Sequence, residues 1–345
     1  MDLCTARPPV LKQANLSFVR KVIKNKGSAT RAEIALETNI SSTTIRSLLL
    51  EMQQNGEIES LGYDQSSGGR KAERYRFKKD RYYGVAFCIM EHAIHYLLVN
   101  ICGEIVENGS LHSPETDPVS SIISFLDILT AQKEIKAIGL GVPGITDEGG
   151  YFKENEDAVL VYHDIGKVIS KKYQLPVVLE NNLNAIAIGF ATCYKQKFPC
   201  ENTENTNMAF LHFDKGCVSA GFICNGKIIR GCRHYAGELG LIPENGEETL
   251  GEYMARPLDG IGYTKTVSKI ISWICGVLNP QYIALGGPAF HKIYLPSICE
   301  TLAALLPAPM QPELLYAPDV RHDYYEGMAS LTAEKIFSDV QLIKE

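Results

Sequence analysis

Up to Gln54 the apolar residues of this chain recur at helical spacing; from Tyr83 onward they come as short strand-like runs closed by glycine turns. One layered core does not accommodate both patterns, so the change of period near residue 81 divides the chain. At 345 residues it is also too long for a single compact core, and two or three units are expected. Charge divides at the same place. Residues 1–81 hold 15 Lys and Arg against 9 Asp and Glu, a net +6; the rest holds 19 against 31, a net −12. A basic head on an acidic body is the footprint expected when only the head meets phosphate. On charge alone, chance fluctuation is the bland alternative.

In the head, Leu16, Val19, Val22 and Ile23 form one helical stripe that Gly27 and Ser28 end. Thr30-Arg31-Ala32-Glu33 has the form of a capping box and opens a second short helix through Leu36. Asn39 and Ile40 make a turn, and Ser41 caps a third helix that carries Ile45, Leu48, Leu49 and Met52 inward. Three short helices with a tight turn before the last are the helix-turn-helix plan. Ser42, Thr43, Thr44, Arg46 and Ser47 stand near the start of the third helix, the end such helices push into the major groove. Their hydroxyls and guanidinium suit phosphate and base edges, with Arg31 beside them. Strand-like runs at Ile58–Leu61 and Tyr75–Phe77 then flank Ser66-Ser67-Gly68-Gly69-Arg70-Lys71. That is a wing with a basic tip, placing Gly69, Arg70 and Lys71 along the DNA backbone or in the minor groove. The alternative is a helical protein-docking module.

No stretch approaches the length of a membrane span, and the opening MDLCTARPPVLKQ lacks a signal peptide's apolar block. Ten cysteines without a C-x-x-C pair read as reduced core residues. A cytoplasmic protein with no membrane contact is expected.

The body alternates strands (Tyr83–Met90, Ile94–Asn100, Ile135–Val142, Pro176–Leu179, Asn207–Phe213, Val218–Cys224, Gln281–Leu285) with helices, which argues an α/β architecture. Four stretches then point further: GLGVPGITDEGG (139–150), VVLENNLNAIAIGF (177–190), ICNGKIIRGCRHYAGELGLI (223–242) and NPQYIALGGPAF (279–290). In order and spacing they resemble landmarks of the ROK family, which contains bacterial sugar kinases and repressors with a winged helix-turn-helix in front. The resemblance covers nearly the whole chain. It implies an N-terminal winged helix-turn-helix over 1–81, then a two-lobed sugar-kinase-like body of the actin-like, ribonuclease H-like kind. The first lobe would span 82–195 plus 315–345, returning through a terminal helix at Gly327–Phe337, and the second 196–314.

The departures from the family pattern carry as much information. The kinases' acidic, glycine-paired turn on the first strand is absent from Tyr83–Met90, and their G-T-G loop reads Lys215-Gly216-Cys217 here. The family's E-N-D-x-N motif reads Glu180-Asn181-Asn182-Leu183-Asn184, and an amide at 182 cannot take a proton from a sugar hydroxyl. No catalytic residue is therefore assigned, and no cofactor. Leu241 stands where the family's zinc-binding His would be, and Ile242–Tyr253 holds no cysteine, so no metal is expected. By position, the resemblance assigns effector binding to Gly144, Asn181, Asn182, Glu238 and Glu252. The implied protein is a homodimer or dimer of dimers that binds double-stranded DNA at an inverted repeat and responds to a sugar or sugar phosphate. Two rivals stand beside it: a sugar kinase with a DNA-binding head, for which Asp214 is the substitute base, and a ligand-independent DNA-binding protein.

Overall fold

The alternation of inward and outward side chains along the body strands is what stacks this molecule into layers. In the computed structural model, which describes residues 8–64, 71–90, 93–111, 118–155, 159–197 and 206–337, two five-stranded sheets share one plan. The first consists of β4 (Tyr83–Ile89), β5 (Ile94–Asn100), β6 (Ile105–Leu111), β7 (Ile135–Val142) and β11 (Val177–Asn181), in the order β11-β7-β4-β5-β6. The second consists of β12 (Met208–Asp214), β13 (Cys217–Cys224), β14 (Lys227–Ile229), β15 (Tyr282–Gly286) and β16 (Glu313–Ala317), in the order β14-β13-β12-β15-β16. Each begins as an antiparallel meander and continues with two parallel strands, so both sheets are mixed. A small antiparallel sheet of β8 (Ile145–Thr146), β9 (Tyr151–Glu154) and β10 (Leu160–His163) projects from the first.

On β4, Val85 and Phe87 face outward to α4 (Pro118–Gln132) and α5 (Ile165–Tyr173), in a core with Ile122, Leu126 and Ile169. Ala86 and Cys88 face the other way, toward α6 (Asn182–Lys197) and α10 (Val320–Lys335). The second sheet repeats this. Leu211 and Phe213 meet α8 (Gly260–Leu278) and α9 (Leu295–Leu305) outside, while Met208 and Phe210 join the central cluster with Ala185, Tyr324 and Met328. Thus α6 and α10 lie between the sheets. The backbones come close: a Cβ on Gly189 would sit 1.7 Å from the Asp323 carbonyl oxygen, and one on Gly327 1.8 Å from that of Ala185. Likewise Gly139 of β7 admits Thr332, whose Oγ1 would lie 2.0 Å from an added Cβ. The boundary expected at 315 falls inside β16, and the terminal helix begins at Val320 rather than Gly327.

The head is α1 (Pro8–Lys26), β1 (Ala29–Thr30), α2 (Arg31–Thr38), α3 (Ser42–Gln54), β2 (Ile58–Tyr63) and β3 (Glu73–Phe77), its sheet ordered β1-β3-β2. Its core of Val19, Ile23, Ile34, Ile45, Leu49 and Met52 continues into the body's central cluster. Phe337, just past α10, makes that junction. It stacks on Phe77 with centroids 5.9 Å apart, and the Arg20 guanidinium lies 4.2 Å over its ring. Ion pairs Lys79–Glu104 and Arg81–Glu134 bridge the same seam. Among the described residues no helix is long and apolar enough to cross a membrane.

Candidate nucleic-acid interface and ligand cleft

Local caps position α3. Thr30 and Glu33 form the expected capping box, with Glu33 N–H donating to Thr30 Oγ1 (3.3 Å) and Thr30 N–H to the Glu33 carboxylate (2.7 Å). Asn39 ends α2 in the left-handed region at φ 56°, a conformation asparagine tolerates, and so reverses the chain. Ser41 then caps α3 through the Thr44 N–H at 3.2 Å. Ile45, Leu48, Leu49 and Met52 are buried, which leaves Ser42, Thr43, Arg46 and Ser47 exposed on the first turns. Thr44 is half-buried, its hydroxyl 2.8 Å from that of Ser41, so it serves the cap. Arg31 and Lys71 are also exposed; Gly69 and Arg70 lie outside the described residues. Many head cations are spent internally, on Lys12–Glu51, Arg20–Glu57, Lys26–Glu37, Arg74–Asp64 and Arg76–Glu59. Arg31, Arg46 and Lys71 form no ion pair among the described residues. Their charge is available to a partner.

The cleft is built where parallel strands β7 and β11 end, next to the second sheet. Gly144 follows β7 and fits only as glycine, because a Cβ would lie 2.3 Å from the Phe152 carbonyl oxygen. Asn181 closes β11 by donating from Nδ2 to the Gly144 carbonyl (2.7 Å), and its Oδ1 accepts from the N–H groups of Leu183 (2.8 Å) and Asn184 (3.3 Å). It thus acts as an N-terminal cap for α6. Asn182 is half-buried, and its amide nitrogen makes no hydrogen bond among the described residues. The Leu183 carbonyl lies under Gly221 of β13, and neighbouring Ala220 donates to the Gly237 carbonyl at 2.8 Å, which brings Glu238 to the same region. Glu238 is half-buried, its carboxylate makes no hydrogen bond among the described residues, and burial raises that carboxyl above the ordinary range. Glu252 is elsewhere engaged. In the short helix α7 (Leu250–Met254) it completes a capping box with Thr249, whose N–H donates to it at 2.7 Å. The structure therefore joins Gly144, Asn181 and Asn182, sets Glu238 beside Ala220 of β13, and leaves Glu252 on a cap. Leu241, in the turn Leu239–Leu241, is 65% exposed.

Two links across the cleft carry no local sequence signal. Arg230, after β14, donates to the buried Glu180 at the end of β11 through Nε (2.9 Å) and Nη2 (2.5 Å). His234, at φ 60°, lies with Nδ1 2.8 Å from Thr146 Oγ1. Asp214 closes β12 four residues beyond Phe210, the partner of Gly221 above Leu183, or roughly 13 Å along the strand.

Residues 88–252 match the sequence profile described as ROK family. The chain carries a ROK family domain. Around that domain, the chain is 26% identical over 246 residues to a xylose repressor of Caldicellulosiruptor bescii, covering 67% of this chain and 59% of that one. A xylose repressor of Bacillus subtilis is 25% identical over 238 residues (67% and 60%), and NagC of Escherichia coli K12, a DNA-binding transcriptional dual regulator, 20% over 253 (70% and 60%). The chain thus matches about 60% of the length of these curated relatives. Among solved structures, a ROK family transcriptional regulator homologous to E. coli Mlc superposes with a TM-score of 0.69 at 17% identity, over 94% of this chain and 99% of that one. A ROK family glucokinase of Streptomyces griseus gives 0.52 at 15% identity over 73% and 99%. The larger coverage has to include most of the head, since the ROK body is shorter than that share of the chain.

Proposed function

We propose that this chain is a sequence-selective, DNA-binding transcriptional repressor whose ROK body senses a sugar or sugar phosphate without phosphorylating it. The observation that carries the reading is the α3 surface: Ser42, Thr43, Arg46 and Ser47 exposed together, with Arg46 unpaired among the described residues and an apolar seam holding the helix from behind. Three helices and a β1-β3-β2 sheet whose β2–β3 hairpin follows α3 support a winged helix-turn-helix, with α3 in the major groove and Lys71 on the wing. The repressor names of the relatives support the same reading. Two such heads on a cytoplasmic homodimer, or a dimer of dimers, would meet the half-sites of an inverted repeat.

The test is fluorescence anisotropy on operator fragments across a salt series. Selective binding that weakens linearly in log–log salt is expected, and equal affinity for all fragments would overturn the reading. In that assay Arg46→Ala costs about 1–3 kcal/mol of operator affinity and relaxes selectivity at one base pair, while binding to unrelated DNA changes little.

The amide at Asn182, where the family's kinases carry the base, favours sensing over turnover, because an amide cannot take a proton from a sugar hydroxyl. Sugar-dependent ATP hydrolysis across a hexose and pentose panel would refute this. A ligand seated between Asn182 and Glu238 would act through the two cross-cleft links, since a shift needs unequal affinity for two arrangements of the lobes. Glu238→Gln tests the cleft. Burial raises the Glu238 pKa, so its favourable protonated form persists below about pH 4.5 and stability is lost as pH rises through the raised value. Glu238→Gln is therefore expected to melt higher than the parent at pH 7.5 and equally at pH 4, while effector-induced release of DNA is lost.

A further inference from the structure

We propose that Arg74 is a positioning residue for DNA reading: it locks the base of the wing to the α2–α3 pair so that Lys71 and Arg46 engage one duplex together. The inference rests on the DNA-binding reading above. A guanidinium has five N–H donors in a rigid fork, and here each has an acceptor. Nε and Nη2 donate to the two Asp64 oxygens at 2.9 and 2.8 Å, a bidentate pair. Nη2 also reaches Glu33 Oε1 at 3.0 Å, and Nη1 reaches Glu33 Oε2 at 3.2 Å and the Ser28 carbonyl at 3.3 Å. No donor remains for a phosphate, so Arg74 acts through what it holds.

What it holds are four chain segments. Ser28 belongs to the α1–β1 link, Glu33 to the capping box that starts α2, Asp64 directly follows β2, and Arg74 itself lies on β3 opposite Thr30. Asp64 N–H also donates to the Ala72 carbonyl at 2.9 Å, which closes the hairpin from which Lys71 leaves. The Asn39 turn carries the direction of α2 into α3. One cation therefore fixes two angles, that of the reading helix and that of the hairpin base. Without it, Glu33 and Asp64 would face each other as like charges. Two binding groups held at a fixed separation bind far more tightly than the same two on a loose joint.

The experiment is operator anisotropy across a salt series with the full-length protein, its Arg74→Gln variant, Lys71→Ala, and the double variant. Arg74→Gln is expected to lose at least about tenfold in operator affinity and to show a shallower log–log salt slope, by about 0.9 for each phosphate the variant no longer neutralises. Lys71→Ala should then cost almost nothing further in the Arg74→Gln background. Wild-type affinity and slope for Arg74→Gln, or losses that add in full, would overturn the proposal. Asp64→Asn covers the case in which Arg74→Gln unfolds the head. It cuts the bidentate leg alone and leaves the Glu33 leg intact, and an unchanged salt slope in a folded Asp64→Asn protein would equally sink the idea. The unmodified protein separates the two levels of inference: if it shows no selective binding, the DNA reading itself fails and the positioning role falls with it.

Discussion

Gly327→Ala is expected to destabilise the body by about 3 kcal/mol, the upper end of what overpacking costs. An added Cβ would lie 1.8 Å from the Ala185 carbonyl oxygen and 3.0 Å from the Gly189 nitrogen, both backbone atoms that cannot rotate aside. The two helices have to separate, and because each is packed on a sheet, the sheets separate with them. The urea midpoint of the body should fall, and hydrogen exchange should quicken along Asp323–Gly327. Gly276→Ala is the control, since nothing lies within 4 Å of its Cβ position on α8. Removing a glycine from an open helical site stabilises by roughly 0.5–1 kcal/mol. Equal effects for both variants would contradict the close crossing.

Glu57→Ala should be still more damaging, by about 3–5 kcal/mol, because it strands a buried cation. Glu57 and Arg20 are 6% and 10% exposed at the side chain, and two hydrogen bonds of 2.8 and 3.1 Å join them. Arg20 also lies over Phe337, so the loss falls at the seat of the head on the body. Near-UV spectra and thermal melts of the intact protein should show the head melting ahead of the body. Glu57→Gln keeps one acceptor oxygen and should fall between the two. A melt indistinguishable from the parent would mean that water reaches Arg20 and that the seam is loose.

The head was legible because its signals are local. Thr30-x-x-Glu33, Asn39 and Ser41 each act within four residues, and each occupies the conformation its chemistry favours. The same signature at Thr249-x-x-Glu252 marks a helix start, yet positional matching to a family assigned Glu252 to the cleft. Local physics was the better guide there. Strand β1 left no trace, since two residues display no alternation and pair only with Arg74 and Tyr75 far along the chain. Helix α8 was missed for another reason. Thr264, Thr266, Val267, Ile270 and Ile271 are β-branched and weak helix formers, and burial between sheet and α9 overrides that preference. In the cleft, the turn residues Gly144 and Asn181 could be read, whereas Arg230–Glu180 and Thr146–His234 could not. Pairs so far apart in sequence are set by the fold alone.

Helix α10 has a consequence for the order in which the molecule can be made. It covers the inner face of β4 and β7, yet it leaves the ribosome roughly half to two-thirds of a chain later than they do. At cellular rates of synthesis that interval is on the order of tens of seconds. Throughout it, the glycines and alanines of the first sheet face a vacant groove, and Phe77 waits for Phe337. The head, translated well before α10, is therefore among the last parts to be secured. A chain interrupted anywhere before Val320 would release a head with no seat and a sheet with one bare side, a species for chaperones and proteases rather than a smaller working protein.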